Sequence, residues 1–384
     1  MKFGSEDKKN GGVRLLSLLW VERFVVVASL VFASTQVLTA QNDTTGHQRP
    51  TLTFMGFVDA FYAFDSNKPV GDSRQSFLYN HNRQNRFNLN LGLVRLKLNH
   101  AKARATVALH AGTYVNDNYA PEPEVLRYVA EANVGVALAG KGRIWLDVGI
   151  MPSHIGFESA ISFDNGTLTR SLLAENSPYY MAAAKVTYTL SQNIELAALI
   201  SNGWQRIRPV EGNSLPGFGT QIIWKPIDGL AINWSTFVGT TDPDSTRRIR
   251  FFNNFYAQWQ AHKNVGITLG LDIGMQQQTK TSAQQDVWFS PILITRWAIH
   301  SKWAAAIRAE YYHDGAGVVI ASNYPNGFRT AGVSLNVDYA PVSFMLFRVE
   351  GRWLGSSEVN FTGEQGASRN VYSVVASLAL KLGN

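Results

Sequence analysis

Val371-Tyr372-Ser373-Val374-Val375-Ala376-Ser377-Leu378-Ala379-Leu380-Lys381-Leu382 is the stretch on which the fold turns. Tyr372, Val374, Ala376, Leu378, Leu380 and Leu382 share one face, while Ser373, Ser377 and Lys381 share the other. A period of two belongs to a strand, because successive side chains of extended backbone point to opposite sides. The stretch is also long. Strands of globular proteins average about 5 to 6 residues, whereas a tilted strand crossing a bilayer needs roughly 9 to 11.

The pattern recurs upstream. Val265, Ile267, Leu269, Leu271, Ile273 and Met275 alternate with Gly266, Thr268, Gly270, Asp272 and Gln276. Ile144, Leu146, Val148 and Ile150 alternate with Arg143, Asp147 and Gly149. Sixteen such runs fall near 51–64, 85–99, 103–115, 125–139, 143–151, 180–190, 194–203 and 217–226, then 230–241, 248–261, 265–278, 286–299, 303–314, 327–340, 343–356 and 370–382. The connections between them alternate. Short ones lie near 100–102, 140–142, 191–193, 227–229, 262–264, 300–302 and 341–342. Longer ones are 65–84, 116–124, 152–179, 204–216, 242–247, 279–285, 315–326 and 357–369. This sorting suits an all-β, transmembrane, antiparallel up-and-down barrel of about 16 strands, with short periplasmic turns and long outer loops. A soluble sandwich has no reason to sort its connections in this way.

Composition agrees. Charged residues make up 16% of the 384-residue chain, against roughly a quarter in soluble proteins. The absence of cysteine excludes thiol catalysis, thiolate metal sites and disulfide scaffolds. Lys2, Lys8, Lys9, Arg14 and Arg23 followed by the apolar run Phe24 to Ala33 resemble a signal segment, with a cleavage site after Ala40. The run is too short to span a bilayer alone, so a cleaved signal over 1–40 is expected rather than an anchor. Residues 41–50 then form a short periplasmic tail, and 51–384 the barrel. The net charge of +7 is too mild to argue for nucleic acid. Trp145, Trp204, Trp224, Trp259, Trp288, Trp297, Trp303 and Trp353 lie close to strand ends, as interfacial girdles require; Trp234 lies near a strand middle.

Three runs fit poorly. In 85–99 the apolar phase passes from Phe87, Leu89, Leu91 and Leu93 to Val94, Leu96 and Leu98, which predicts a bulge near Gly92. The runs 286–299, which contains Pro291, and 343–356 have mixed faces.

Three segments carry a family resemblance. They are Gly149-Ile150-Met151-Pro152-Ser153-His154-Ile155-Gly156-Phe157-Glu158, then Arg170-Ser171-Leu172-Leu173-Ala174-Glu175-Asn176-Ser177-Pro178-Tyr179-Tyr180, then Ser201-Asn202-Gly203-Trp204-Gln205. Together they resemble the β-barrel porin-2 (OmpL-like) family. The resemblance implies an outer-membrane barrel with porin activity and brings no established substrate. The C-terminus Leu382-Gly383-Asn384 departs from the aromatic ending of many such barrels.

Catalysis has little support in the residues. Of the eight histidines only His110 lies mid-strand, on the polar face, where it reads as a lumen-lining polar residue rather than a catalytic one. No nucleophile elbow, HExxH or calcium loop is present. Glu122 and Glu124 read as a solvated loop rather than a metal site. No catalytic residue, metal or cofactor is expected.

The loop 152–179 is the third and longest outer loop. By analogy with general porins it is expected to fold inward and constrict the channel with Glu158, Asp164, Arg170 and Glu175. The expected lumen lining includes Asp59, Arg95, Arg104, Arg127, Glu131, Asp147, Lys185, Asp272, Arg308, Glu310, Arg348 and Glu350. Such charges would cost several kcal/mol each in a soluble core, but little beside water. Basic residues outnumber acidic ones along the wall, while the loop is mainly acidic. Leu269 is expected to face lipid, and its neighbour Gly270 open lumen. The expected function is a water-filled channel for passive diffusion of small hydrophilic solutes or ions across the bacterial outer membrane. The surrounding partner is outer-membrane lipid, and a homo-oligomer stays open. The rival readings are a barrel that anchors or adheres with its lumen plugged, and a barrel-wall hydrolase.

Overall fold

The computed structural model describes residues 49–139 and 142–383. The expected signal segment 1–40 and all of the tail except Arg49 and Pro50 lie outside the described residues. Sixteen strands follow in chain order: β1 (Thr51–Asp65), β2 (Phe87–Asn99), β3 (Ala103–Ala111), β4 (Val129–Ala139), β5 (Ile144–Pro152) and β6 (Tyr180–Thr189). Next come β7 (Ile194–Ser201), β8 (Gly217–Trp224), β9 (Leu230–Gly239), β10 (Arg250–His262) and β11 (Val265–Gln277). The last are β12 (Gln285–His300), β13 (Trp303–Asp314), β14 (Phe328–Val342), β15 (Met345–Ser356) and β16 (Asn370–Gly383). Each pairs antiparallel with its neighbours, and β1 pairs with β16, so the sheet closes. Closure gives every strand two partners and removes the free edges that lipid could not satisfy.

The seam puts Met55 opposite Gly383 and Asp65 opposite Ser373, so both termini of the barrel lie at the short-turn end. Gly383 is required there: its φ is 75°, and a Cβ would lie 1.9 Å from the Phe54 carbonyl oxygen. The apolar face of each strand points outward. Val58, Val134, Leu269, Leu335, Val349 and Val374 are all exposed on the outside of the sheet. A belt of exposed apolar side chains around a closed sheet is the surface a hydrocarbon solvent calls for. Trp224, Trp259, Trp297 and Trp303 are exposed near the short-turn end and form one girdle. Trp145, Trp204 and Trp288 do not join a girdle. Arg104 lies 4.4 Å over the Trp145 ring, Trp288 is buried, and Trp204 packs on Phe237 and Phe252.

The three awkward runs have physical reasons. In β2 the alternation shifts at Asn90 and Leu91, which are both buried, slightly before the expected Gly92. Gly112 lies against that shift with φ 137°, and a Cβ on it would meet the Asn90 carbonyl at 2.3 Å. The mixed faces of β12 arise because Ile292 and Ile294 point inward and pack on Leu173 and Ala174. In β15 the inward face holds Leu354 beside Arg348, Glu350 and Arg352, all buried. The barrel is therefore not empty on that side.

Candidate functional site: the lumen and the loop within it

The connection 153–179 runs inside the closed sheet. Its residues bond to inner side chains of β8, β9, β10, β13, β14, β15 and β16, so it reaches across the barrel. Gln221 donates to the His154 carbonyl at 2.9 Å, and Asn254 accepts from the Gly156 amide at 3.0 Å. Arg348 donates to the Ser162 carbonyl at 2.6 Å, Arg308 to the Thr169 carbonyl at 2.6 Å, and Lys381 bonds Asp164 at 2.7 Å.

Small polar residues let the loop do this. A backbone that enters a lumen loses water from its N–H groups and must find other acceptors. Ser153 and Ser159 accept from the amides of Ile155 and Ile161, and Asn165 from that of Ser159. Ser171 caps the one-turn helix α3 (Leu172–Glu175; α1, Thr113–Asn118, and α2, Glu124–Arg127, precede it) by accepting from the Ala174 amide at 3.1 Å. Wall carboxylates finish the task. Glu350 accepts from the Thr169 amide at 2.6 Å, and Glu310 from the Leu172 amide at 2.7 Å.

These carboxylates belong to one buried network. Arg308 lies 2.7 Å from Glu350 and 3.3 Å from Glu310; Arg352 bonds Glu310 at 2.9 Å; Arg348 bonds Asp338 at 2.7 Å, and Arg296 bonds Asp338 too. The guanidiniums of Arg308 and Arg348 are fully covered. Opposite charges at such distances, sealed by a loop, act as an adhesive between wall and loop rather than as a channel lining.

The four expected constriction residues separate. Glu158 is buried and accepts from the Ser171 amide at 3.1 Å. Glu175 is buried and accepts from the Tyr79 amide at 3.0 Å and the Asn80 amide at 3.3 Å, tying the first outer loop to the third. Burial pushes both carboxyls above the usual range. Arg170 is buried against the Tyr179 ring and donates to the Ala174 carbonyl at 3.2 Å. Only Asp164 stays exposed. The expectation that all four carry their charge into the channel is corrected. Three hold loop backbone instead: Glu158 and Glu175 accept from amides of the third and first outer loops, and Arg170 donates to a carbonyl of the third.

The expected lining also divides. Arg308, Glu310, Arg348 and Glu350 are sealed beneath the loop. Asp59 is sealed by Ser162 at 2.7 Å and His81 at 2.9 Å. Asp272 is buried and bonded to Asn254 at 2.6 Å. Open water-sized space lies against β2–β7 and, at the short-turn end, against β9–β12. A cavity of about 360 Å³ is lined by Lys97, Arg104, Glu131, Asp147, Lys185 and Glu195. There Arg95 pairs with Glu131 at 2.6 Å and Arg104 with Asp147 at 2.7 Å, while no carboxylate pairs with Lys97 or Lys185 among the described residues. A larger cavity of about 910 Å³ at the short-turn end is lined by Asp164, Lys225 and Arg296 among others. Arg127 is not on a strand. Pro123 starts α2, and Arg127 donates to the carbonyls of Glu122 and Ala120 at 2.8 Å.

Two further expectations are corrected. Glu122 is buried and accepts from the Ile207 and Arg208 amides at 2.9 and 3.0 Å, so it joins the second loop to the fourth; Glu124 is exposed, as a solvated loop residue would be. Gly270 faces inward but not into open space, since a Cβ there would lie 2.7 Å from Phe157. His81 was invisible to sequence reasoning, because a loop has no period to show which residue turns inward. His110 bonds the Arg127 carbonyl at 2.8 Å and packs edge-on against Tyr119, with no serine beside it among its described contacts.

Residues 51–382 match the family model described as "Putative beta-barrel porin-2, OmpL-like". No curated protein matches the chain. Among solved structures, the chain is similar to an anion-selective porin from Comamonas acidovorans, with 10% identity over 87% of this chain and 100% of that one and a TM-score of 0.59. It is also similar to OmpT, an outer membrane protein of Vibrio cholerae, at 9% identity over 91% and 100% with a TM-score of 0.59. The outer membrane channel DcaP of Acinetobacter baumannii aligns at 11% identity over 90% and 100%, with a TM-score of 0.57. At these identities the likeness establishes the barrel fold.

Proposed function

The chain belongs to the beta-barrel porin-2 (OmpL-like) family, and from that premise we propose that it is a passive diffusion channel of the bacterial outer membrane for small hydrophilic solutes or ions. It catalyses no reaction in this reading. Its N-terminal segment is a signal removed on export. The observation that carries the reading is the open space beside the inner wall of β2–β7. Lys97, Arg104, Asp147, Lys185 and Glu195 border water-sized space instead of being sealed like Arg308 and Glu350. Keeping unpaired ammonium groups on an inner face is inexpensive only beside water. The loop 153–179 narrows the path from the opposite side, and Asp164 is the loop charge that solutes meet.

The apolar inner clusters around Leu172 and Ile292 favour a second reading, a plugged barrel that serves as an anchor. Single-channel recording of the refolded chain in a planar bilayer decides between them. Stepwise ohmic current is expected, and a folded barrel that passes none would establish the plug.

A further inference from the structure

A groove of about 710 Å³ lies on the outer face between β9 and β13. Its cause is local. Pro291 has no N–H to give the ladder, and β12 and β13 have no register pair between Phe289–His313 and Ile292–Glu310. Ser290 Oγ donates to the Tyr311 carbonyl at 2.8 Å in compensation. The small side chain of Ala309 keeps the floor low, and Trp234 stacked on Phe255 at 5.9 Å forms a wall.

On β12 and β13 the groove's lining ends at Pro291 and Tyr311. Two residues further toward the long-loop end on the same outward face, Phe289 stacks on His313 at 5.0 Å. Arg329 is the register partner of His313. His313 shares the outward face with Tyr311, and Arg329 with Val333. Their nitrogens converge: His313 Nε2 and Arg329 Nη2 come within 3.5 and 3.6 Å of one point, the place a Cβ on Gly315 would occupy. Among the described residues no carboxylate pairs with Arg329, and its Nε has no acceptor. An arginine at the rim of an apolar belt stands at headgroup level, where its free donors can meet an anionic group.

We propose that this groove and the Arg329–His313 pair hold one phosphate-bearing lipid of the surrounding leaflet. Its acyl chain lies between Trp234 and Pro291, and its phosphate bonds Arg329 and His313. The proposal rests on the membrane-spanning reading above. A guanidinium with free donors suits a phosphate, and a trough in a lipid-facing wall suits one chain.

Native mass spectrometry of the full chain in detergent, titrated with dioleoyl phosphatidic acid, tests this. One lipid is expected to stay bound, while dioleoylglycerol is not retained. Changing Arg329→Gln together with His313→Asn should weaken retention about tenfold or more, as should Ala309→Phe, which fills the groove. Cold-detergent gel mobility first checks that each variant forms the barrel; a wild-type chain that fails there defeats the membrane reading rather than the lipid site. Folded variants that retain the lipid like wild type would overturn the proposal. So would a sedimentation result in which Ala309→Phe breaks an oligomer while lipid retention is unchanged, because the groove would then belong to a second copy.

Discussion

The inner wall has two halves that the same alternation builds and the structure uses differently. On β13–β15 the inward charges Arg308, Glu310, Arg348, Glu350 and Arg352 are sealed under the loop 153–179 and spend their hydrogen bonds on it. On β2–β7 the inward charges Lys97, Arg104, Asp147, Lys185 and Glu195 border open space. A polar inward face is therefore not one kind of surface. It becomes adhesive where a second chain segment covers it, and a solvated lining where none does.

The sharpest way to break this comparison is to remove the hub of the adhesive half. Arg308→Met deletes four contacts, to Thr167, Thr169 and Glu350, and leaves Glu350 and Glu310 short of a buried partner. Loss of one member of a buried ion network costs about 3 to 5 kcal/mol. The loop should detach while the ladder of sixteen strands persists. Single-channel conductance should rise and proteolysis within 153–179 should quicken, with gel mobility of the folded band retained. Unchanged conductance would mean the charges do not hold the loop.

The second test separates inside from outside. Leu269 is exposed on the lipid face of β11, and Thr268 borders the short-turn cavity. Leu269→Arg should cost about 2 to 4 kcal/mol, measured by urea titration of the chain folded in vesicles, and Thr268→Arg much less. Equal costs would show that the outer face does not meet hydrocarbon. Gly270 cannot serve as the inner control, because Phe157 already fills the space beside it.

The fold was legible because period two survives in most strands: the sixteen runs read from the sequence match the sixteen strands within a few residues at each end. It failed where alternation carries no information on what covers a face. Ile292 and Ile294 blurred β12 because they meet the loop, and only the folded loop explains them. Loop residues have no period at all, so Glu158, Glu175 and Glu122 could be placed on long loops but not assigned as acceptors for buried amides. Their composition gave one signal, the density of Ser, Thr and Asn between 153 and 177, which marks backbone prepared to satisfy itself away from water.

A third test uses pH on the loop's other anchor. His154 leads the loop, and its Nε2 bonds the Thr236 carbonyl at 2.7 Å. Burial pulls its pKa down from 6.5 to about 4. The folded state thus binds fewer protons than the unfolded state between these values. The neutral ring's contribution is complete above pH 6.5 and lost as pH falls toward 4, by up to about 3 kcal/mol. Glu158 and Glu175 work in the opposite sense, since their raised pKa values favour the folded loop on acidification. His154→Asn should flatten the acid-induced rise in loop proteolysis between pH 6.5 and 4. A variant that keeps the full pH dependence would place the titration elsewhere.

The smallest effect expected is on ion selectivity, and it measures which half of the wall the permeant ions meet. Glu158 and Glu175 are buried acceptors, so neutralising both should leave the reversal potential in a salt gradient nearly unchanged while loosening the loop. Asp164 is exposed but paired with Lys381 at 2.7 Å. Asp164→Asn should shift the potential slightly toward anions, because it also frees the Lys381 charge. Lys97 and Lys185 have no carboxylate partner among the described residues, and both line the open cavity. Neutralising them together should give the largest shift, toward cations, since a fixed charge acts on ions within a Debye length of about 8 Å at physiological salt. The shift should shrink as salt is raised, whereas a change caused by altered pore shape would persist. If the glutamate pair moves the potential more than the lysine pair does, the ions pass along the loop's interior face, and the assignment of β2–β7 as the solvated wall is wrong.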